Sequence, residues 1–492
     1  MTIKRGAIAL ALAGSTILAG CGGAPLASVP ASERAQIELA LMRDIAVLAS
    51  DEFGGRQPGT MGEGRTVDFI IKNLQDAGLT SGTNDPGSAW RAPVDLLRTK
   101  PSGSRLMIQQ GETESELAGA VAFTLRKREL INDAELVFVG KLSDEVPSEL
   151  VTGQVIVMLG EPGVSPQRRT VLFDKNPAAI ITVVEDDDAI ANVNRAYGRE
   201  RLSLASEAET SLTAFASQAA IANVLGADNW AELLASAEDG AFQPIALNAT
   251  VSIEATTQRT EFTSYNVIGK LPGTRPNSGA VLLLGHWDHF GECGDDGDED
   301  RICNGAVDNA SGIAAMLELT RRLSATGPYD RDIYVLATSA EESGLLGAKA
   351  FIENPPIPTG SIVAAFNFDS VAIAPAGSAV GFIGEGRTPL DPVIIDVLNK
   401  SNRTLGDREF AAQFIQRQDG WALLEGGVPA VFLSTAFGSE IVTGPYLSTH
   451  YHRASDELDK IELGGAIDDL LLHEELVRRI VDTSQYMPPA AP

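Results

Sequence analysis

The chain has 492 residues, with 66 Asp or Glu against 38 Lys or Arg and a formal net charge of −28. A surface this acidic excludes nucleic acid as a partner, and the charge serves solubility and self-repulsion. The length allows two or three domains, and 44% hydrophobic residues with 6% aromatic is an ordinary globular composition.

At the amino end Lys4 and Arg5 precede an apolar stretch over residues 7–18 and then Leu18-Ala19-Gly20-Cys21. This reads as a secretory signal ending in a lipobox, with residues 1–20 removed. An apolar run of about 12 residues is too short to span a bilayer, where about 20 are needed. Cleavage before Cys21 and lipidation of its sulfur leave residues 21–32 as a tether, so the mature chain is anchored to a membrane and does not span it. In a Gram-negative cell Gly22, where a retained inner-membrane lipoprotein would carry aspartate, fits the periplasmic face of the outer membrane. Loss of the signal removes Lys4 and Arg5 and takes the net charge to about −30. Of three cysteines, Cys21 is committed to lipid. In an exported protein Cys293 and Cys303 then default to a disulfide closing a short acidic loop. Thiolate zinc ligation is the weaker alternative there, because histidines and carboxylates nearby already supply ligands.

Next come an amphipathic helix over 32–48, a glycine-rich loop over 51–60 and a second helix over 62–77, whose apolar faces need a partner elsewhere. From about 93 to 260 the texture becomes short β-rich runs at 134–139, 154–158 and 178–184, with a helical stretch near 217–237. The expected organisation is one domain in two parts, 33–115 and 261–488, interrupted by an inserted β-rich domain over 116–260. In the second part, buried-type strands at 266–270, 280–284, 332–337, 362–368 and 429–434 alternate with helices at 310–323, 345–353 and 391–402. That alternation predicts an α/β fold, a mostly parallel central sheet flanked by helices.

Seven side chains that handle metals or protons fall at or near the ends of these strands: His286, Asp288, Asp308, Glu341, Glu342, Asp369 and His452. Ligands bind where loops leave the carboxyl ends of strands in such a sheet. Zinc takes imidazole nitrogen and carboxylate oxygen, and a pair of zinc ions needs a bridging carboxylate with terminal ligands on either side. Four of the five histidines form two close pairs, His286/His289 and His450/His452. His289 and His450 are expected to pack at the rim or behind the ligands, and His473 on the C-terminal helix reads as a surface or helix-face residue. Tyr446 and Tyr451 are candidate oxyanion donors, with packing an equal alternative. Arg56, Arg387, Arg417 and Arg453 are candidates for a substrate carboxylate, with ordinary salt bridges the competing reading.

The segments His286-Trp287-Asp288, Gly305-Ala306-Val307-Asp308-Asn309-Ala310-Ser311-Gly312, Glu341-Glu342-Ser343-Gly344-Leu345, Asn367-Phe368-Asp369 and His452-Arg453-Ala454-Ser455-Asp456 resemble the co-catalytic zinc aminopeptidases, the group that includes aminopeptidase Y, glutamate carboxypeptidase and the transferrin receptor. The likeness covers roughly residues 40–90 and 260–485. It implies a zinc exopeptidase fold and two Zn2+, with Asp308 bridging, His286 and Asp369 on one metal, and Glu342 and His452 on the other. It further implies Asp288 as the partner holding His286 and Glu341 as the general base. The insert is similar to a protease-associated domain. The resemblance implies an aminopeptidase acting on peptide substrates. Also open are a carboxypeptidase or other amidohydrolase on the same scaffold, and a non-catalytic receptor or zinc-binding lipoprotein.

Overall fold

The computed structural model describes residues 29–206, 212–295 and 297–489. The signal stretch, Cys21 and most of the tether lie outside the described residues. Among those residues, no helix is long and apolar enough to cross a membrane.

The amino-terminal helices are α1 (Ala31–Leu48) and α2 (Met61–Asp76), the latter capped by the Thr60 hydroxyl accepting the Gly62 N–H. The first long strand, β1 (Arg91–Gln110), leads into the insert, which contains β2 (Arg128–Gly140), β3 (Val155–Leu159), β4 (Ala179–Val184), β5 (Arg201–Leu204) and β6 (Leu212–Ser217). The helical stretch after β6 is two helices, α3 (Gln218–Leu225) and α4 (Ala227–Ser236). They break at Gly226, whose φ of 93° stops a helix and suits glycine. The 27-residue strand β7 (Ile245–Leu271) returns the chain, pairing antiparallel with β1. It also pairs with β2 inside the insert.

The main elements after β7 are β8 (Ala280–His286), α5 (Gly312–Thr326), β9 (Asp332–Thr338), α6 (Leu346–Glu353), β10 (Ile362–Asn367), β11 (Gly381–Ile383), α7 (Asp391–Lys400), β12 (Ala430–Ser434), α8 (Glu440–Thr449) and α9 (Leu463–Val481). The sheet runs β11-β12-β10-β8-β9-β7 and then on through β2, β3, β4 and β6 of the insert. β9, β8, β10 and β12 are parallel neighbours, and β7 and β11 are the antiparallel strands at either side of them.

Alternation along β8 explains the layers. Val281 and Leu283 join the larger core with α1, α2, α5 and α9, whereas Leu282 and Leu284 join a second core with α6 on the other face. A strand apolar on both faces is what a sheet covered on both sides requires. The insert has its own core, and it includes Leu106 and Ile108 from β1 with Val251, Ile253 and Ala255 from β7. The insert's packing therefore begins ahead of residue 116, because two continuous strands serve both parts. Only long-range pairing produces such strands; the local pattern around residue 100, with Pro101 and Gly103, reads as a break.

Candidate metal centre

The parallel register sets the site. His286 at the end of β8 lies level with Thr338 of β9, and Leu284 is level with Asn367 of β10. The loops that follow carry Glu341 and Glu342 beyond β9 and Asp369 beyond β10, all opening at one carboxyl edge of the sheet. Asp308 enters from the turn before α5, and His452 from the loop after α8.

These groups converge closely. His286 Nε2 lies 3.3 Å from Asp308 Oδ1 and 3.6 Å from Asp369 Oδ1. His452 Nε2 lies 3.4 Å from Asp308 Oδ2 and 3.1 Å from Glu342 Oε2. The two oxygens of one carboxylate thus face two imidazoles on opposite sides. Glu341 Oε2 stands off at 4.0 Å from His286 Nε2.

This arrangement fits metal ions. A tetrahedral zinc with bonds of about 2.0–2.2 Å separates its ligand atoms by roughly 3.3–3.6 Å, close to the spacings seen here. Both His286 Nε2 and His452 Nε2 are buried and make no hydrogen bond, which a cation between them and the carboxylates would answer. The charge balance agrees, since His286, Asp288, Asp308 and Asp369 are all buried and the acids there outnumber the bases.

Electrostatics divides the acids. Burial raises Asp288 to about 7 and Asp419 to about 6. Burial, with Asp419, Glu342 and Asp369 adding to it and His286 opposing, holds Glu341 well above the usual carboxylate range. Burial and Asp308 push Glu342 upward too, but the hydrogen bond with His289 and the His452 imidazole beside it outweigh them and leave it lowered. For Asp308, burial pushes upward, but the His286 and His452 imidazoles set against its two oxygens outweigh it and keep the group well below the ordinary value.

The scaffold around the ligands is dense. Asp456 accepts the Val307 and Asp308 N–H groups at 3.0 Å each, and also the Tyr446 hydroxyl at 3.0 Å. Asn309 donates to the His286 and Phe368 carbonyls and accepts the Gly312 and Ser370 N–H groups, so one amide ties together three of the ligand-bearing segments. Arg56 donates to five backbone carbonyls, those of Leu48, Trp287, Asn304, Gly305 and Asp308.

Several expectations change. Asp288 meets His286 Nδ1 through its backbone carbonyl at 3.2 Å, whereas its carboxylate is 3.8 Å away and instead accepts the Glu341 N–H at 3.0 Å. Arg56 has no salt-bridge partner among the described residues; its guanidinium is spent on carbonyls. Of the other arginines, Arg387 lies over the Trp421 ring, and Arg453 donates to the Thr449 carbonyl. His473 is buried, not at the surface. It packs on Phe366 and Phe368, and its Nδ1 donates to the Asp469 carbonyl at 2.7 Å. His289 is buried with Nδ1 2.6 Å from Glu342 Oε1, and His450 sits at the rim bonded to Ser455. Cys293 and Cys303 are disulfide-bonded, with Cα atoms 5.7 Å apart. Asp419, Asp456 and Asn309 carry no role in the sequence reading. Asp456 and Asn309 lie inside the quoted segments, whereas Asp419, in Gln418-Asp419-Gly420, had no local signal.

A cavity of about 210 Å³ opens onto the cluster, floored by Phe414, Phe432 and Phe437 and edged by Arg417, Tyr446 and Tyr451. The Tyr451 ring stacks on His452 at 3.6 Å, and its hydroxyl accepts from Arg417 at 3.4 Å.

A mostly parallel sheet with helices on both faces is the zinc exopeptidase architecture, and here a cluster of side chains that could hold metal lies at its carboxyl edge. Residues 266–470, the part of the chain that holds the cluster, match Peptidase family M28. The aminopeptidase from Aneurinibacillus sp. strain AM-1 shares the fold, with a TM-score of 0.54 and 18% identity over 94% of this chain and 97% of that one. Aminopeptidase YwaD of Bacillus subtilis is 33% identical over 118 residues, which is 24% of this chain and only 23% of that relative's length. The probable lipoprotein aminopeptidase LpqL of Mycobacterium tuberculosis is 23% identical over 86% of this chain and 80% of its own.

Proposed function

We propose that the chain is a two-zinc aminopeptidase that removes N-terminal residues from peptides. The observation carrying this is the Asp308 carboxylate, with Oδ1 turned to His286 and Oδ2 to His452. In this reading His286, Asp308 and Asp369 would hold one zinc, and Asp308, Glu342 and His452 would hold the other. Zinc bound there would supply Lewis acidity, polarising the scissile carbonyl and acidifying water.

The chain's own residues do the rest. Glu341, the acid not committed to a ligand position, takes the proton of the attacking water and returns it to the leaving amine. Cations beside it favour the ionised form that a base needs. Asp288 fixes the start of the Glu341 turn through the Glu341 N–H. Tyr451, whose oxygen accepts from Arg417, directs its own proton elsewhere and is suited to donate to the developing oxyanion. The aromatic floor of the cavity suits a large apolar N-terminal side chain. The lipobox at Cys21 places this activity outside the cytoplasm on a lipid anchor, at the periplasmic face of the outer membrane in a Gram-negative cell. The insert is taken to be a protease-associated-like domain.

The test is Glu341→Gln. Turnover of aminoacyl anilides should fall by about 10²–10⁴-fold, the usual worth of a positioned base. Zinc measured by mass spectrometry should stay at two per chain. Substantial residual activity, or loss of zinc with the side chain, would overturn the assignment.

A further inference from the structure

Glu341 and Glu342 share one turn, yet their carboxylates are held differently. Glu342 Oε1 lies 2.6 Å from His289 Nδ1 and its Oε2 3.1 Å from His452 Nε2, so side chains grip it from both sides. The Glu341 carboxylate makes no hydrogen bond among the described residues and stands 4.0 Å from His286 Nε2. Where it points is therefore decided by its backbone.

That backbone is not a relaxed one. Ala340 and Leu345, on either side of the pair, have φ of 52° and 63°, and Gly344 has 106°. Left-handed conformations are unfavourable for residues with a Cβ and persist only where the surroundings hold them. One side chain holds both ends of this turn. Asn266 of β7 is buried; its Oδ1 accepts the Ser339 N–H at 2.9 Å and its Nδ2 donates to the Gly347 carbonyl at 2.8 Å. Ser339 and Gly347 are also joined directly, the Gly347 N–H donating to the Ser339 carbonyl at 2.8 Å. The approach requires glycine at 347, since a Cβ there would stand 2.5 Å from Asn266 Oδ1. Ser264, two residues earlier on β7, bonds its hydroxyl to that of Ser339 at 2.6 Å and donates to the buried Glu63 at 2.8 Å.

Asn266 lies outside the cavity over the cluster. We infer that it is nonetheless a positioning residue for catalysis: by fixing Ser339 against Gly347 it sets where the Glu341 carboxylate stands. Because Glu342 has its own side-chain anchors, this control falls on the base more than on the metal ligand. This rests on Glu341 acting as the base of the exopeptidase proposed above. β7 is also the strand that continues into the insert, so the insert and the base share one element.

The experiment measures kcat, KM and bound zinc for Asn266→Ala on the zinc-loaded full chain, with leucine p-nitroanilide as substrate. Turnover should fall roughly 10- to 100-fold, since a misplacement of about 1 Å costs up to about 10²-fold, while KM and zinc content stay unchanged. Asn266→Asp, which keeps an acceptor for the Ser339 N–H, should retain part of the rate. The decisive comparison places Asn266→Ala in the Glu341→Gln background. There the residual rate should not drop further, because the effects of residues that act through one another do not add. A further drop in that background, loss of zinc, or an unchanged kcat in the single variant overturns the inference and leaves the exopeptidase intact. Should Asn266→Ala not fold, Asn266→Asp is held to the same comparison. Wild-type protein that hydrolyses no aminoacyl anilide, or Glu341→Gln as active as wild type, sinks the reading on which this one stands.

Discussion

Replacing Arg56 by lysine probes how the turn carrying Asp308 is held. The guanidinium is buried and donates to the carbonyls of Leu48, Trp287, Asn304, Gly305 and Asp308. Burial lowers it to about 10, with Asp308, Asp456, Asp288 and Glu342 opposing the shift, so it stays charged at neutral pH. Guanidinium offers five N–H donors and an ammonium three, so at least two of these carbonyls lose their partner. Each buried carbonyl left unpaired costs about 1–3 kcal/mol, which predicts a loss of about 2–6 kcal/mol. That is a large share of the typical 5–15 kcal/mol stability of a domain. Urea denaturation followed by tryptophan fluorescence suits the test, because buried Trp287 is itself one of the acceptors. Zinc affinity, measured by chelator competition, should fall by about 10-fold or more as the turn loosens, in line with other supporting residues of metal sites. A midpoint shift worth less than about 1 kcal/mol would refute the reasoning, since it would mean the carbonyls find other partners or are not held by the fork.

Asp308→Asn should take zinc stoichiometry below one per chain, whereas Asp369→Asn should weaken one site and leave the other; equal losses would argue against a shared bridge. Tyr446→Phe should lower stability by about 1 kcal/mol through the lost bond to Asp456, with little change in turnover. Tyr451→Phe should do the reverse, lowering kcat by about 10²-fold at unchanged melting temperature. His473 is lowered to about 4 by burial, whereas an unfolded histidine titrates near 6.5. Between those values the unfolded chain binds more protons, so its contribution to stability is present above pH 6.5 and lost as pH falls toward 4. His473→Leu should therefore gain about 3 kcal/mol relative to wild type between pH 7 and pH 4, read from denaturation at each pH. The comparison between variants cancels the opposing titration of Asp469, raised to about 7 by burial.

Much of the catalytic part was legible in the residues. The buried runs at 280–284, 332–337 and 362–368 became β8, β9 and β10 almost residue for residue, because a strand covered on both faces must be apolar throughout. The acids and histidines at their ends were visible because zinc chemistry admits so few ligand types. The insert was harder to read, since pairing between β1 and β7 spans more than 130 residues of sequence and leaves little local trace.

What the sequence determined by itself, then, was local: strand and helix periods, the disulfide-forming pair, and the types of side chain gathered at the strand ends. Which oxygen of Asp308 faces which imidazole, the five carbonyls on Arg56, the burial of His473 and the closeness of Asp419 were decided only by the tertiary structure. These depend on partners brought together by packing, such as Asp456 with the Val307 amide, 149 residues apart. Hydrogen-bond geometry at that separation follows from the packed cores, and no short stretch of sequence encodes it.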